Sequence, residues 1–118
     1  MLIACQENGN LLNAVEDTVN TLDKFLCPAC LEAVRFKKGR VMRPHFAHIS
    51  LKDCHFYTEN ESAEHLNLKA ALFTWARKSN HAVQVEAYLP KLQQIADLLV
   101  EKQIVLEVQC SSLSQKRL

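Results

Sequence analysis

The stretch ADLLVEKQIVLEVQCS, residues 96 to 111, sets two carboxylates, Asp97 and Glu107, into runs that are otherwise Ile, Leu and Val. A strand over Gln103 to Gln109 puts Ile104, Leu106 and Val108 on one face and Val105, Glu107 and Gln109 on the other. In the preceding strand Asp97 shares a face with Ile95 and Leu99. A three-residue turn, Glu101-Lys102-Gln103, sets Val100 opposite Ile104 and therefore Asp97 opposite Glu107. A two-residue turn shifts the register by one and separates the acids. Like charges directly opposite destabilise a strand pair. Two carboxylates so placed either share a proton or hold a cation. The plainer alternative is an edge hairpin carrying two solvated acids.

Mg²⁺ suits such a pair, because it takes oxygen ligands and keeps waters, one of which can become a nucleophile. Gln109 points into the same place and is suited to position that water or a phosphate oxygen. Upstream, Thr58-Glu59-Asn60-Glu61 has the form of a capping box and opens a helix over roughly 60 to 78. Ala63, Leu66, Ala70 and Phe73 form one apolar stripe of it, and Leu68, Leu72 and Trp75 a second, which predicts a helix covered on two sides. Between the stripes Glu61, His65 and Lys69 stack at i, i+4 and i+8, with Glu64 close by. This helix can add a carboxylate and a base or phosphate contact to the acid pair.

The other chemistry-bearing cluster lies earlier. Cys27-Pro28-Ala29-Cys30 supplies the paired thiols of a zinc knuckle, and the second pair must come from His45, His48, Cys54 or His55. His45 and His48, three apart on a strand, face opposite sides, so one metal takes one of them. The preferred set is Cys27, Cys30, His48 and Cys54, with His45 as the substitute. Four protein ligands leave no open position, so such a zinc braces the fold. Ordinary buried thiols are the alternative, and a redox role is weak, because a thioredoxin-type CxxC opens a helix in a βαβ unit. The odd count of five cysteines in a reducing compartment also favours metal or free thiols over a disulfide framework.

Around the knuckle, Leu2–Cys5 and Leu11–Ala14 read as strands joined at Gln6-Glu7-Asn8-Gly9. Val34–Lys37 and Val41–Pro44 read as a second hairpin turning at Lys38-Gly39. Between Ala33 and Lys52 stand Arg35, Lys37, Lys38, Arg40, Arg43 and Lys52 with no acid, a footprint suited to phosphate. Phe36, Phe46, Phe56 and Tyr57 lie beside it as candidate stacking residues for single-stranded bases. After the helix, Ala82–Leu89, Ile95–Val100 and Gln103–Gln109 read as three strands. The fold class is therefore α+β: a small β-hairpin, zinc-ribbon-like module over 1–57, then a restriction-endonuclease-like α/β core over 58–118 of helix and three-stranded sheet. An apolar last strand left as an edge marks that core as truncated and the chain as a fragment. At 118 residues and 48% hydrophobic, a sizeable core is available. No run approaches the ~20 apolar residues of a membrane span. The start MLIACQENGN lacks a secretory pattern, so a cytoplasmic protein without a membrane role is expected.

Asp-x9-Glu-x-Gln on adjacent strands behind an acidic helix looks like the PD-(D/E)xK nuclease fold with Gln in the Lys position. More closely, the chain resembles the N-terminal part of the CoiA family of bacterial competence proteins. The matching pieces are FLCPAC at 25–30, RPHFAH at 43–48 followed by Cys54, ESAEHLNLK at 61–69, VEAYLP at 85–90, ADLLV at 96–100 and LEVQCSSLS at 106–114. The resemblance implies a zinc-finger-like module followed by a nuclease-like domain. It implies a role in natural transformation, processing or recombining incoming single-stranded DNA alongside recombination proteins. Carried over to this sequence, Asp97, Glu107 and Gln109 match the core site, Glu64 with His65 the helix motif, and Glu86 an acid on the first strand. The sequence departs from the pattern at Gln109, which stands for the nuclease Lys. It also has Ile95 where members often have a basic residue, and the closing helix falls beyond Leu118. Two functions follow as expectations: Mg²⁺-dependent hydrolysis of DNA phosphodiesters, or a DNA-binding and recruitment module without cleavage.

Overall fold

The structure is a computed structural model that describes residues 1–50, 54 and 61–108. Lys52, His55, Phe56, Tyr57, Thr58, Gln109 and Cys110 lie outside the described residues. The chain is α+β: a five-stranded sheet, one helix, and a three-stranded antiparallel sheet.

The first hairpin forms where the Asn-Gly signal places it, joining β1 (Ile3–Gln6) to β2 (Leu11–Asn13). Gly9 takes φ +91°, a conformation open to glycine and costly for most side chains. β3 (Phe25–Leu26) pairs with β1, β4 (Ala33–Lys37) with β3, and β5 (His45–His48) with β4, all antiparallel, giving the order β2-β1-β3-β4-β5. The second hairpin differs from the expectation, because Val41–Pro44 is not a strand: Lys37 pairs with His45, and 38–44 is loop. Pro44 has no amide hydrogen for a ladder, and Val41 is exposed. Pairing therefore starts one residue after the proline, in time for Phe46 to enter the core.

The helix α1 (Ala63–Lys78) starts later than the sequence predicts. Its N-cap is Ser62, whose hydroxyl accepts the His65 amide at 3.0 Å, so Glu61 precedes the helix and is left for other partners. Of the two apolar stripes, Leu66, Ala70 and Phe73 are buried, whereas Leu68, Leu72 and Trp75 are exposed. The helix is thus covered on one side among the described residues. The chain then runs through β6 (Val83–Leu89), β7 (Gln94–Val100) and β8 (Ile104–Leu106) as a meander. The turn Glu101-Lys102-Gln103 has three residues, and Val100 pairs with Ile104.

One core joins both parts of the chain. Leu2, Phe25, Val34 and Phe46 from the first sheet meet Leu66 and Phe73 of α1, Val85 of β6 and Leu98 of β7. Each such side chain contributes about 1.5–3 kcal/mol by leaving water. Phe46 is 1% exposed and packs against Phe25 edge-on, ring centres 5.2 Å apart, so it is a core residue and not a stacking platform. Phe36, half-buried, pairs with Phe46 across the ladder with ring centres 5.2 Å apart. No helix among the described residues is long and apolar enough to cross a membrane.

Candidate functional site

Two sites emerge beside this core. The first is a Cys/His cluster. β3 leads directly into Cys27, and the knuckle is closed by the Leu31 amide donating to the Cys27 carbonyl at 2.9 Å. The last residue of β5 is His48, and Cys54 follows beyond it. The ligand atoms of Cys27, Cys30, His48 and Cys54 all lie within 4.8 Å of one another. The Sγ atoms of Cys27 and Cys54 are 3.8 Å apart, and Cys30 Sγ is 3.3 Å from His48 Nε2. A tetrahedral zinc with Zn–S near 2.3 Å requires S···S edges of about 3.8 Å, so donor set and spacing both fit. The amides of Ala29 and Cys30 aim at Cys27 Sγ at 3.4 and 3.5 Å, which favours a thiolate there. Without a metal, burial dominates and pushes the Cys27 thiol up to about 12. The group could hold a metal such as zinc. His45 is not part of it: its Nδ1 lies 2.8 Å from the Arg43 carbonyl.

The second site gathers charges from α1, β6, β7 and the segment after β8. Asp97 Oδ2 accepts the Val108 amide at 2.7 Å, extending the β7–β8 register to Asp97 opposite Glu107. The two carboxyls interact: partial burial and then the Asp97 charge push Glu107 above its ordinary range. From the helix, His65 Nε2 reaches Asp97 Oδ2 at 3.4 Å, and His65 Nδ1 is held by Glu61 Oε2. The residue the sequence reading left outside its catalytic set is Lys69. Its ammonium, 4% exposed, lies 2.6 Å from Glu61, 3.0 Å from Glu86 and 3.9 Å from Asp97. Burial alone would lower Lys69, but the carboxylates of Glu86 and Glu61 outweigh it and hold the amine above its ordinary range. Burial likewise would raise Glu61, yet Lys69 holds it below the usual carboxylate range. Lys69 and the N-terminal ammonium, 3.4 Å from Glu61, both supply positive charge to these acids. Among the described residues the Cys/His group alone brings three or more such ligand atoms together, and Asp97 with Glu107 remains a pair.

Glu86 belongs to this cluster in an unexpected role. Its carboxylate accepts the backbone N–H of Leu2 at 2.6 Å and of Ile3 at 3.1 Å, while also pairing with Lys69. It sits at φ +54° in mid-strand, a conformation that costs a non-glycine residue about 1–3 kcal/mol. Nothing in sequence spacing signals a bond across 84 residues. Glu64 stays apart: it is exposed, about 100° round the helix from His65, and among the described residues it has no ion pair or hydrogen bond. Glu61 takes the place expected for Glu64, and the stack with Lys69 at i, i+4 and i+8 was the available signal. Gln109 falls outside the described residues.

Comparison with known proteins converges on one family. Residues 12–57 match the model of the competence protein CoiA N-terminal domain, and residues 61–118 match that of the competence protein CoiA nuclease-like domain. The competence protein CoiA of Bacillus subtilis (strain 168) is 31% identical over 108 residues, which cover 89% of this chain and 29% of that relative. This chain therefore spans under a third of that relative's length. No solved structure matches. With both family models matched in order over most of its length, the chain belongs to the CoiA competence protein family.

Proposed function

We propose that this protein processes incoming DNA in natural transformation by Mg²⁺-dependent hydrolysis of phosphodiesters at the Asp97–Glu107 site. The observation that carries the reading is the meeting of these two acids across the β7–β8 turn, beside the buried ammonium of Lys69, in a domain matched as nuclease-like. Asp97 and Glu107 would hold magnesium, which would supply Lewis-acid activation of the scissile phosphate and its water. Lys69 contributes a fixed positive charge 3.9 Å from Asp97, the electrostatic part that the nuclease motif otherwise draws from a Lys at position 109. Its raised pKa keeps it protonated, so it stabilises charge and does not act as a base. His65, fixed through Nδ1 by Glu61, presents Nε2 beside Asp97 to accept the water's proton. Gln109 aligns the water. The Cys/His group takes zinc and braces the hairpin whose exposed Arg35, Lys37, Lys38 and Arg40 grip phosphates of single-stranded DNA. The protein works in the cytoplasm beside recombination proteins.

The test is a divalent-metal titration with labelled single- and double-stranded DNA. Cleavage is expected with Mg²⁺ and lost in Asp97→Ala, with DNA binding retained; cleavage persisting at the wild-type rate overturns the assignment. A second reading, a recruitment module that binds DNA without cutting it, is favoured by one observation: Glu86 and Lys69 are both engaged in internal pairs. Salt-sensitive binding with no cleavage in either Mg²⁺ or Mn²⁺ selects it.

A further inference from the structure

We infer that Glu86 is a positioning residue that couples the Cys/His metal group to the acid cluster, so that loading one site sets the geometry of the other. The carboxylate grips the amides of Leu2 and Ile3 at the start of β1, a strand that touches both β3, which leads to Cys27, and β5, which ends at His48. On one side, β1 pairs with β3 (Cys5 opposite Leu26, Gln6 opposite Phe25), and β3 runs straight into Cys27 and Cys30. On the other, Phe46 of β5 donates its amide to the Met1 carbonyl at 2.8 Å, two residues before His48. Both halves of the metal group are therefore linked to the first six residues, in addition to their pairing with β4. Toward the acid site, the same carboxylate pairs with Lys69, and Lys69 reaches Glu61 and Asp97.

Two features mark Glu86 as built for this place. The side chain is 1% exposed with both oxygens bonded to backbone amides, a geometry that fixes the carboxylate in one orientation. The backbone is held in the left-handed region, where a strand residue stays only if its surroundings over-determine it. Without the metal, the knuckle and β5 stay joined through their pairing with β4, but the direct tie of Cys27 and Cys30 to His48 is lost. The Leu2–Ile3 segment then loosens, and Glu86 with Lys69 relaxes. By linkage, whatever binds at Asp97 shifts metal affinity at the cysteines by the same factor. The coupling holds whether or not the acid cluster cuts DNA. It does require that the cysteines take zinc, and zinc content of the wild-type protein tests that requirement separately.

The experiment follows zinc release to a chelator and amide exchange at Leu2 and Ile3 in wild type, Glu86→Gln, and a destabilised control, Phe73→Leu. Glu86→Gln is expected to speed zinc release by about tenfold or more, as the loss of a charge-assisted hydrogen bond implies, and to expose both amides. The control, chosen to match the stability loss of Glu86→Gln, is expected to release zinc clearly more slowly than Glu86→Gln. Chelating zinc from the wild type is expected to shift the His65 ring signals, and that response disappears in Glu86→Gln. Zinc release unchanged in Glu86→Gln, or equally fast in the control, overturns the coupling. Should Glu86→Gln not fold, the wild-type measurement decides alone: His65 signals and Leu2 and Ile3 amides indifferent to zinc removal overturn it.

Discussion

Lys69 cannot be removed alone without cost. With its ammonium within 4 Å of Glu61, Glu86 and Asp97, truncation leaves the buried Glu86 without its ion pair and Glu61 with the N-terminal ammonium at 3.4 Å. Lys69→Met is expected to destabilise the protein by about 3–5 kcal/mol in chemical denaturation, the range for breaking one side of a buried ion pair. The sign of the pH dependence follows from the same pair. Glu61 is held below its ordinary value, so its contribution is present above that value and is lost as pH falls through the depressed one. Lys69 is held above its ordinary value, so its contribution persists until pH rises through the elevated one. Unfolding midpoints across pH should therefore stay flat near neutrality and drop at the acid end. Glu107 behaves oppositely. Burial and Asp97 raise it, so the folded state favours its proton and loses that advantage as pH rises through the raised value. Glu107→Gln should accordingly raise the thermal midpoint at neutral pH in magnesium-free buffer, and added Mg²⁺ should no longer stabilise the variant.

At the scale of elements, turn length decides whether there is an acid site at all, since one residue more or fewer moves Glu107 to the other face. The turn is set under strain, with Glu101 and Lys102 both at positive φ, 54° and 58°. Lys102→Gly should stabilise the hairpin by up to about 1 kcal/mol, because glycine accepts that conformation freely. Glu101 is a poorer target: its side chain accepts the Ala82 amide at 3.0 Å and ties the turn to the entry of β6. This turn, the Asn-Gly hairpin and the order of the three C-terminal strands were legible because local chemistry specifies them, although β8 stops at Leu106 and leaves Glu107 just past the strand. The second N-terminal hairpin was not, because a loop over 38–44 with a proline at its end hides where pairing begins. The CxxC knuckle was legible from its spacing, and strand alternation limited the metal to one of His45 and His48, of which the fold brings His48 to Cys27, Cys30 and Cys54. The place of Glu86 was not: its partners are amides of the first strand, and an amide has no sequence signature.

For the molecule as a whole, the five-stranded sheet and the helix-and-sheet part share one hydrophobic core, so damage at the metal group should spread. Chelating the metal is expected to lower the melting temperature of the entire chain in one transition; two separate transitions would mean independent folding units. Acid should also release metal, because the cysteines must give up protons to bind it, and elemental analysis against pH follows this directly. The two sets of charges differ in their contact with water. Arg35, Lys37, Lys38 and Arg40 stand in solvent, whereas Lys69 and its acids do not. Near 1 M salt, where the screening length falls to about 3 Å, the exposed arginines and lysines lose most of their reach and the interior pairs keep theirs. If these side chains grip DNA as proposed, high ionic strength should release it during purification while leaving the folded interior untouched.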